Sequence, residues 1–179
     1  MEALSQTESP QGLVIILNQQ YLPLPAAASF LLILDGLRDP GNLGTILRTA
    51  KAAGVEGVLM APGCADAWSP KVLRSAMGAH FHLPLLSQSW QEIRQTIKSF
   101  PSQITVYLAD SAAGIPFTRA DFCSPLALIV GSEAAGAGSE AVSLANVQVH
   151  IPMPGGSESL NAAIAAGILL FEVLRQRSR

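Results

Sequence analysis

A glycine- and proline-rich loop, Ile151-Pro-Met-Pro-Gly-Gly-Ser-Glu-Ser-Leu-Asn161, delivers a serine, a leucine and an asparagine to the start of an apolar stretch, Ala162 to Leu174. Unpaired backbone N–H groups at a helix start, with short polar side chains beside them, can hold a ligand. The plainer reading of the same residues is a loop whose Ser159 caps the helix. Two other segments are built in a similar way. Asn42-Leu-Gly-Thr-Ile-Leu-Arg48 follows the apolar run Phe30 to Leu34 through the turn Asp35-Gly-Leu-Arg-Asp-Pro-Gly41. Gly131-Ser-Glu-Ala-Ala-Gly136 follows the apolar run Leu126 to Val130. A glycine directly after a strand lets backbone approach a ligand closely, although a simple strand-to-helix turn uses glycine for the same steric reason.

The elements that must position these residues alternate between two patterns. Runs rich in Val, Ile and Leu predict strands at Leu13–Leu17 (a possible edge strand), Phe30–Leu34, Gly57–Ala61, His82–Leu86, Ile104–Ala109, Leu126–Val130 and Val147–Ile151. Between them, helices are predicted over Asn42–Ala53, Ser69–Gly78, Trp90–Phe100, Glu140–Ala145 and Ser159–Gln176. Gly54 can end the first helix in the left-handed conformation, and Pro70 suits the first turn of the second. Trp90, Ile93 and Ile97 share one face of the third. Such alternation marks an α/β protein with a mostly parallel sheet flanked by helices. The chain has 179 residues and is 49% hydrophobic, enough for one domain with a substantial core.

Composition narrows the function. A net charge of −2 argues against a broad, sequence-independent nucleic-acid binder, so an RNA ligand would need a local basic patch or a further RNA-binding part. Ala162 to Leu174 is too short to span a bilayer, and the first residues lack a basic and apolar leader, which points to a cytoplasmic protein. Cys64 and Cys123 lie far apart and read as free thiols. His80 and His82 could share a face of an extended segment, but with no nearby Cys or acidic cluster no metal is expected. Gly136-Ala-Gly138-Ser-Glu-Ala141 matches a relaxed dinucleotide fingerprint. It begins too far beyond its strand to be read as one, and it is the only support for a nucleotide-binding oxidoreductase. Arg175, Arg177 and Arg179 suit either RNA contact or a helix C-terminus.

Taken in order and at these spacings, the three loop segments resemble the three motifs of the SpoU (TrmH-type) branch of the SPOUT RNA methyltransferases. The resemblance covers residues 30 to 176. It implies an α/β-knot fold, a five- or six-stranded parallel sheet whose C-terminal segment threads a deep trefoil knot. The implied activity is transfer of a methyl group from S-adenosyl-L-methionine (AdoMet) to a ribose 2′-hydroxyl in structured rRNA or tRNA. By resemblance, backbone at Gly131, Ile151 and Leu160 holds the cofactor, and the loop after Leu108 and Ala109 closes over its adenosine. Asn42, Arg48, Glu133, Ser159 and Asn161 match the family's functional set. Thr7-Glu-Ser-Pro-Gln-Gly12 is similar to the phrase that links an N-terminal RNA-binding domain to the catalytic domain. Residues 1–29 therefore read as a linker-like segment, and 30–179 as a methyltransferase domain without that extension.

Arg48 on its helix reads either as an ordinary solvated arginine or, with its mostly apolar neighbours, as a partly buried one paired with Glu133. A guanidinium is almost never free to accept a proton, so anchoring a phosphate and stabilising a developing alkoxide suit it better than acting as a base. The chain departs from the family at Ala163, where a Ser or Thr is common. That departure and the acidic charge favour a rival, a catalytically silent RNA- or AdoMet-binding module of the same fold; Asn42, Arg48 and Glu133 speak against it. Apolar residues on more than one face of the last helix predict a homodimer; the alternative is a central helix fully enclosed within one subunit. The resemblance implies pairing through this helix and the first one, with Arg48 of one chain near the cofactor loop of the other.

Overall fold

The computed structural model describes residues 16, 18, 19, 21–111, 113–132 and 136–178. The strand expected at Leu13–Leu17 lies outside them except for Ile16, which belongs to no strand. Seven strands form one sheet in the order β3-β2-β1-β6-β4-β7-β5, and every pairing is parallel. They are β1 (Phe30–Leu34), β2 (Gly57–Met60), β3 (Leu85–Ser87), β4 (Thr105–Asp110), β5 (Ile115–Pro116), β6 (Leu126–Val130) and β7 (Val147–His150). The helices are α1 (Pro40–Ala52), α2 (Pro70–Ala76), α3 (Trp90–Ser99), α4 (Ser139–Leu144) and α5 (Ala162–Arg177).

The central strands β1 and β6 are buried at every residue, as continuous apolar runs covered on both faces must be. Alternation along each strand divides the core into two layers. Leu32, Leu34, Leu128 and Val130 pack with α1, α2 and α5 on one face. Leu31, Ile33, Ala127, Ile129 and Leu108 pack with α3 and α4 on the other.

Local chemistry sets the helix ends. Asp39 caps α1 through its carboxylate, which accepts from Asn42 N at 2.7 Å. Pro40 follows at the first turn, and Gly54, at φ +81°, closes the helix in the left-handed region. Ser89 and Glu92 form a capping box on α3. Gly44 lets α2 lie against α1: a Cβ built there would stand 1.8 Å from Ser75 Oγ and 2.9 Å from Val72 O.

Several expectations need correction. The sheet has seven strands, not five or six, because the two-residue β5 is too short to leave a sequence pattern. The third strand starts at Leu85; His80 and Phe81 belong to a 3₁₀ turn, Ala79–Phe81, so His80 and His82 do not share an extended face. His80 is buried with Nε2 2.6 Å from Ala67 O, while His82 is exposed. Helix α5 begins at Ala162 with Asn161 as its cap, so Ser159 is not the cap. Arg175 and Arg177 are used within the chain. Arg175 pairs with Glu172 at 2.7 Å. Arg177 donates to the carbonyls of Ser29, Phe122 and Ser124 and lies over the Phe30 ring, and burial lowers its pKa. Arg179 lies outside the described residues.

Gly44→Ala tests the α1–α2 contact. On a free helix this change stabilises by about 1 kcal/mol. Here the new methyl meets backbone, so a net loss of about 1–3 kcal/mol is expected in denaturant melts.

Candidate functional site

The ends of β1, β6, β4 and β7 stand in register: Leu34 opposite Val130, Val130 opposite Ala109, and Ala109 opposite Val149. Aligned parallel neighbours point to the same face, so this row forms a floor at the carboxyl edge of the sheet, where open α/β sheets bind ligands. Helix α5 crosses above it. Between them lies a cavity of about 320 Å³ whose floor is Ala109, Val130 and Val149 and whose roof is Ala162, Ala165 and Leu169. Alanines at 162 and 165 leave the space open; longer side chains would fill it.

Three loops supply the rim. Asp110 and Ser111 follow β4, Gly131, Ser132, Gly136 and Ala137 follow β6, and Ile151, Met153, Ser159 and Leu160 follow β7. Asp110 is the one carboxylate among these described lining residues. The loop after β6 folds back on itself: Gly136 N donates to Ser132 O at 3.1 Å, with Gly136 at φ +65°. A Cβ at Gly131 would meet Gly136 O at 2.9 Å and the Ala137 Cα at 3.1 Å. Gly131 is thus required first by the loop's own closure, whatever ligand the loop faces. The far end of this loop is tied to β1, where Gly138 N donates to Asp35 Oδ2 at 2.7 Å.

The first and third segments meet directly. Asn161 Oδ1 accepts from Ala163 N and Ile164 N, capping α5, while its Nδ2 donates to Asn42 Oδ1 at 3.0 Å. The N-termini of α1 and α5 are thereby held side by side, and their macrodipoles favour a negative group between them.

The remaining site candidates divide. Gly131, Ile151, Leu160, Ser159 and Ala109 line the cavity. Leu108 is fully buried in the opposite core layer, because adjacent strand residues face opposite ways. Glu133 lies outside the described residues. Arg48 does not line the cavity; contrary to the partly buried reading, it is exposed and makes no hydrogen bond or ion pair among the described residues. Ala163 packs in the core beneath α5, away from the cavity. Cys64 Sγ donates to Leu34 O and burial pushes its pKa up, so it is no activated nucleophile. Among the described residues no group of His, Cys, Asp or Glu could hold a metal ion, and no helix is long and apolar enough to cross a membrane.

Among the lining residues missed from sequence, Val130, Val149, Ala162 and Ala165 carry a readable signal. They are the strand-end positions of one alternation phase and the small residues of one helix face.

The sequence model described as the SpoU rRNA Methylase family matches residues 29–171. The chain belongs to the SpoU family. It is 37% identical over 171 residues to the 23S rRNA (guanosine(2553)-2′-O)-methyltransferase RlmP of Bacillus subtilis, covering 96% of this chain and 68% of the relative. Human mitochondrial rRNA methyltransferase 3 is 34% identical over 212 residues, covering 88% of this chain and 48% of that protein. Among solved structures, the SpoU methyltransferase AviRb from Streptomyces viridochromogenes superposes with a TM-score of 0.83 at 34% identity, covering 87% of this chain and 62% of that one. The same enzyme in complex with AdoMet gives a TM-score of 0.77 at 34% identity, covering 87% of this chain and 63% of that one. The chain therefore spans about half to two-thirds of the length of these SpoU relatives.

Separate substitutions distinguish the two jobs of Asn161. Asn161→Ser keeps an N-cap but cannot reach Asn42, and should unfold within a few tenths of a kcal/mol of the parent. Asn161→Ala loses both contacts and should cost about 1 kcal/mol more, measured by urea titration.

Proposed function

We propose that residues 30–179 form the catalytic domain of an AdoMet-dependent methyltransferase that methylates a ribose 2′-hydroxyl in structured RNA, with rRNA as the substrate class. The observation that carries this reading is the Asn161–Asn42 bond beside the cavity, which joins the first and third motifs where the second motif's loop forms the wall. The cavity fits the cofactor. Its volume of about 320 Å³ is in the range of small-molecule sites, its walls are mostly apolar, and loop backbone supplies polar groups for an adenosine and a methionine tail. When bound there, AdoMet supplies a methyl group on a sulfonium, a leaving group that needs no acid assistance.

The chain's own residues would then do the positioning. Ile151 and Leu160 hold apolar surface of the cofactor, and Gly131, Ser132, Gly136 and Ala137 wall the pocket. The paired N-termini of α1 and α5 draw in a negative group of the RNA beside Asn42 and Asn161. Ser159 stands on the rim where a ribose would enter. Arg48 supplies a fixed positive charge that anchors a phosphate and lowers the energy of the developing alkoxide.

Because Arg48 is exposed and off the cavity in its own subunit, it acts across a homodimer interface, on the partner's site. Helix α5 supports that interface: it leaves Ile164 56%, Phe171 48% and Leu174 36% exposed, so one subunit does not enclose it. The insertion of β7 between β4 and β5 supports a knotted C-terminal segment, because the chain after β6 must re-enter beside a connection already made.

Calorimetric titration with AdoMet or S-adenosylhomocysteine should give saturable binding; absence of heat and of thermal stabilisation at millimolar ligand removes the cofactor assignment. Arg48→Ala should keep AdoMet affinity while slowing methyl transfer about a hundredfold or more. Light scattering should report a dimer. Mixing Arg48→Ala subunits with Gly131→Val subunits should then restore part of the activity, whereas a fully active monomer refutes the shared site.

A further inference from the structure

The net charge of −2 conceals an uneven distribution of cations. Among the described residues, Arg94 is paired with Glu140, Arg175 with Glu172, and Arg177 is spent on backbone carbonyls. The cations left exposed and without a hydrogen bond or ion pair are Arg38, Arg48, Lys51, Lys71, Arg74, Lys98 and Arg119. All but the last two lie on or just before α1 and α2. Neither helix carries a carboxylate within its span, although the exposed cap Asp39 stands between Arg38 and α1.

The packing brings these charges to one seam. Gly44 is the contact point of α1 with Ser75 and Val72 of α2. Arg48 and Lys51 lie four and seven residues after Gly44, so they rise from the α2-facing edge of α1. Lys71 and Arg74 flank the contact from the α2 side, one turn before Ser75 and directly beside it. Ser75 Oγ also donates to Pro40 O at 3.3 Å, so α2 meets α1 at the end that bears Asn42. The seam therefore begins next to the Asn42–Asn161 pair.

Apolar surface stands beside the charge. After α2, Met77 takes the left-handed conformation (φ 48°) and is 70% exposed, and Phe81 in the following 3₁₀ turn is 59% exposed. That turn packs on both α1 and α2. An open phenyl ring next to unpaired cations matches single-stranded nucleic acid, whose bases stack on aromatic faces while phosphates take the charges.

We propose that the α1–α2 seam is the docking surface for the RNA strand that flanks the target nucleotide, with its phosphates on Lys51, Lys71 and Arg74 and an unstacked base on Phe81. This rests on the RNA substrate of the reading above and adds where that substrate lies. It also eases the conflict between an acidic chain and an anionic partner, because five of the seven cations not used internally lie on or just before α1 and α2.

The test uses the whole chain and a fluorescein-labelled RNA hairpin with single-stranded flanks, followed by anisotropy across a salt series, with AdoMet titrated into each variant. Lys71→Gln/Arg74→Gln should weaken RNA binding at least tenfold and reduce the salt slope by about 1.4, at about 0.7 per phosphate contact on a single strand. Phe81→Ala should weaken binding about tenfold with the slope unchanged. Both variants should melt at the parent temperature and bind AdoMet as the parent does. Lys98→Gln/Arg119→Gln, on α3 and beyond β5, should change RNA affinity less than twofold. Parental RNA binding by the seam variants, or an equal loss in the Lys98/Arg119 variant, overturns the proposal. A chain that binds AdoMet but not the hairpin overturns the docking surface alone; one that binds neither overturns the proposed function as well.

Discussion

A single side-chain hydrogen bond across 119 residues, from Asn161 Nδ2 to Asn42 Oδ1, sets the geometry on which the site depends. Asn161 is suited to it because its amide has an acceptor and a donor end. The acceptor end is used by the first N–H groups of α5, and the donor end reaches α1. Serine or aspartate would cap α5 equally well, but aspartate has no donor to offer Asn42 and the serine hydroxyl is too short to reach it. Two helices that start at opposite ends of the chain are thereby placed with their positive ends adjacent, next to the cavity. Asn42 is held in turn by its own backbone bond to Asp39, so the bridge is built between two capped helix ends.

The other wall depends on a different constraint, close backbone approach. Gly131 has no room for a Cβ because Gly136 O stands 2.9 Å from where it would be. Asp35 then fixes the loop's exit by accepting from Gly138 N. Asp35 belongs to the segment that leads into α1, so the first motif secures the second at one end and the third at the other. One consequence is that a loop substitution here acts on folding and on ligand binding together. A loss of cofactor affinity in a Gly131 variant is therefore weak evidence that the residue touches the cofactor.

Much of the fold was legible because burial on both faces leaves uninterrupted apolar runs: Phe30–Leu34 and Leu126–Val130 coincide with β1 and β6. Legibility fell where long-range contact overrides local pattern. The two residues of β5 carry no periodicity, and they pair at the sheet edge with β7, more than thirty residues further along the chain. Polar residues near the start of α5 include both Ser159 and Asn161, and sequence alone favoured the wrong cap; the helix begins only at Ala162, so Asn161 is the residue placed to accept from its first N–H groups. Leu108 and Ala109 were grouped as cofactor contacts, yet strand alternation sends their side chains to opposite layers. For Arg48, apolar neighbours in sequence left a partly buried reading open beside the ordinary solvated one. Those neighbours, Ile46 and Leu47, turn inward on the helix and leave it outside. The departure at Ala163 loses its weight for the same reason, since that side chain faces the core and does not line the cavity.

Composition and function conflicted in the sequence because net charge counts every ionisable group alike. The fold separates them. Arg177 is enclosed by carbonyls at the far end of α5, where its charge offsets that helix's negative end, and Arg94 and Arg175 are each matched by a carboxylate. Glu56 is likewise spent internally, accepting from Ser29 and Phe30 at the start of β1. What remains in solvent on α1 and α2 is uniformly positive, although the chain as a whole is negative. A partner approaching within a Debye length responds to that local field and not to the sum. An acidic chain can therefore retain a face that attracts a polyanion while the rest of its surface repels one, which orients the approach as well as permitting it.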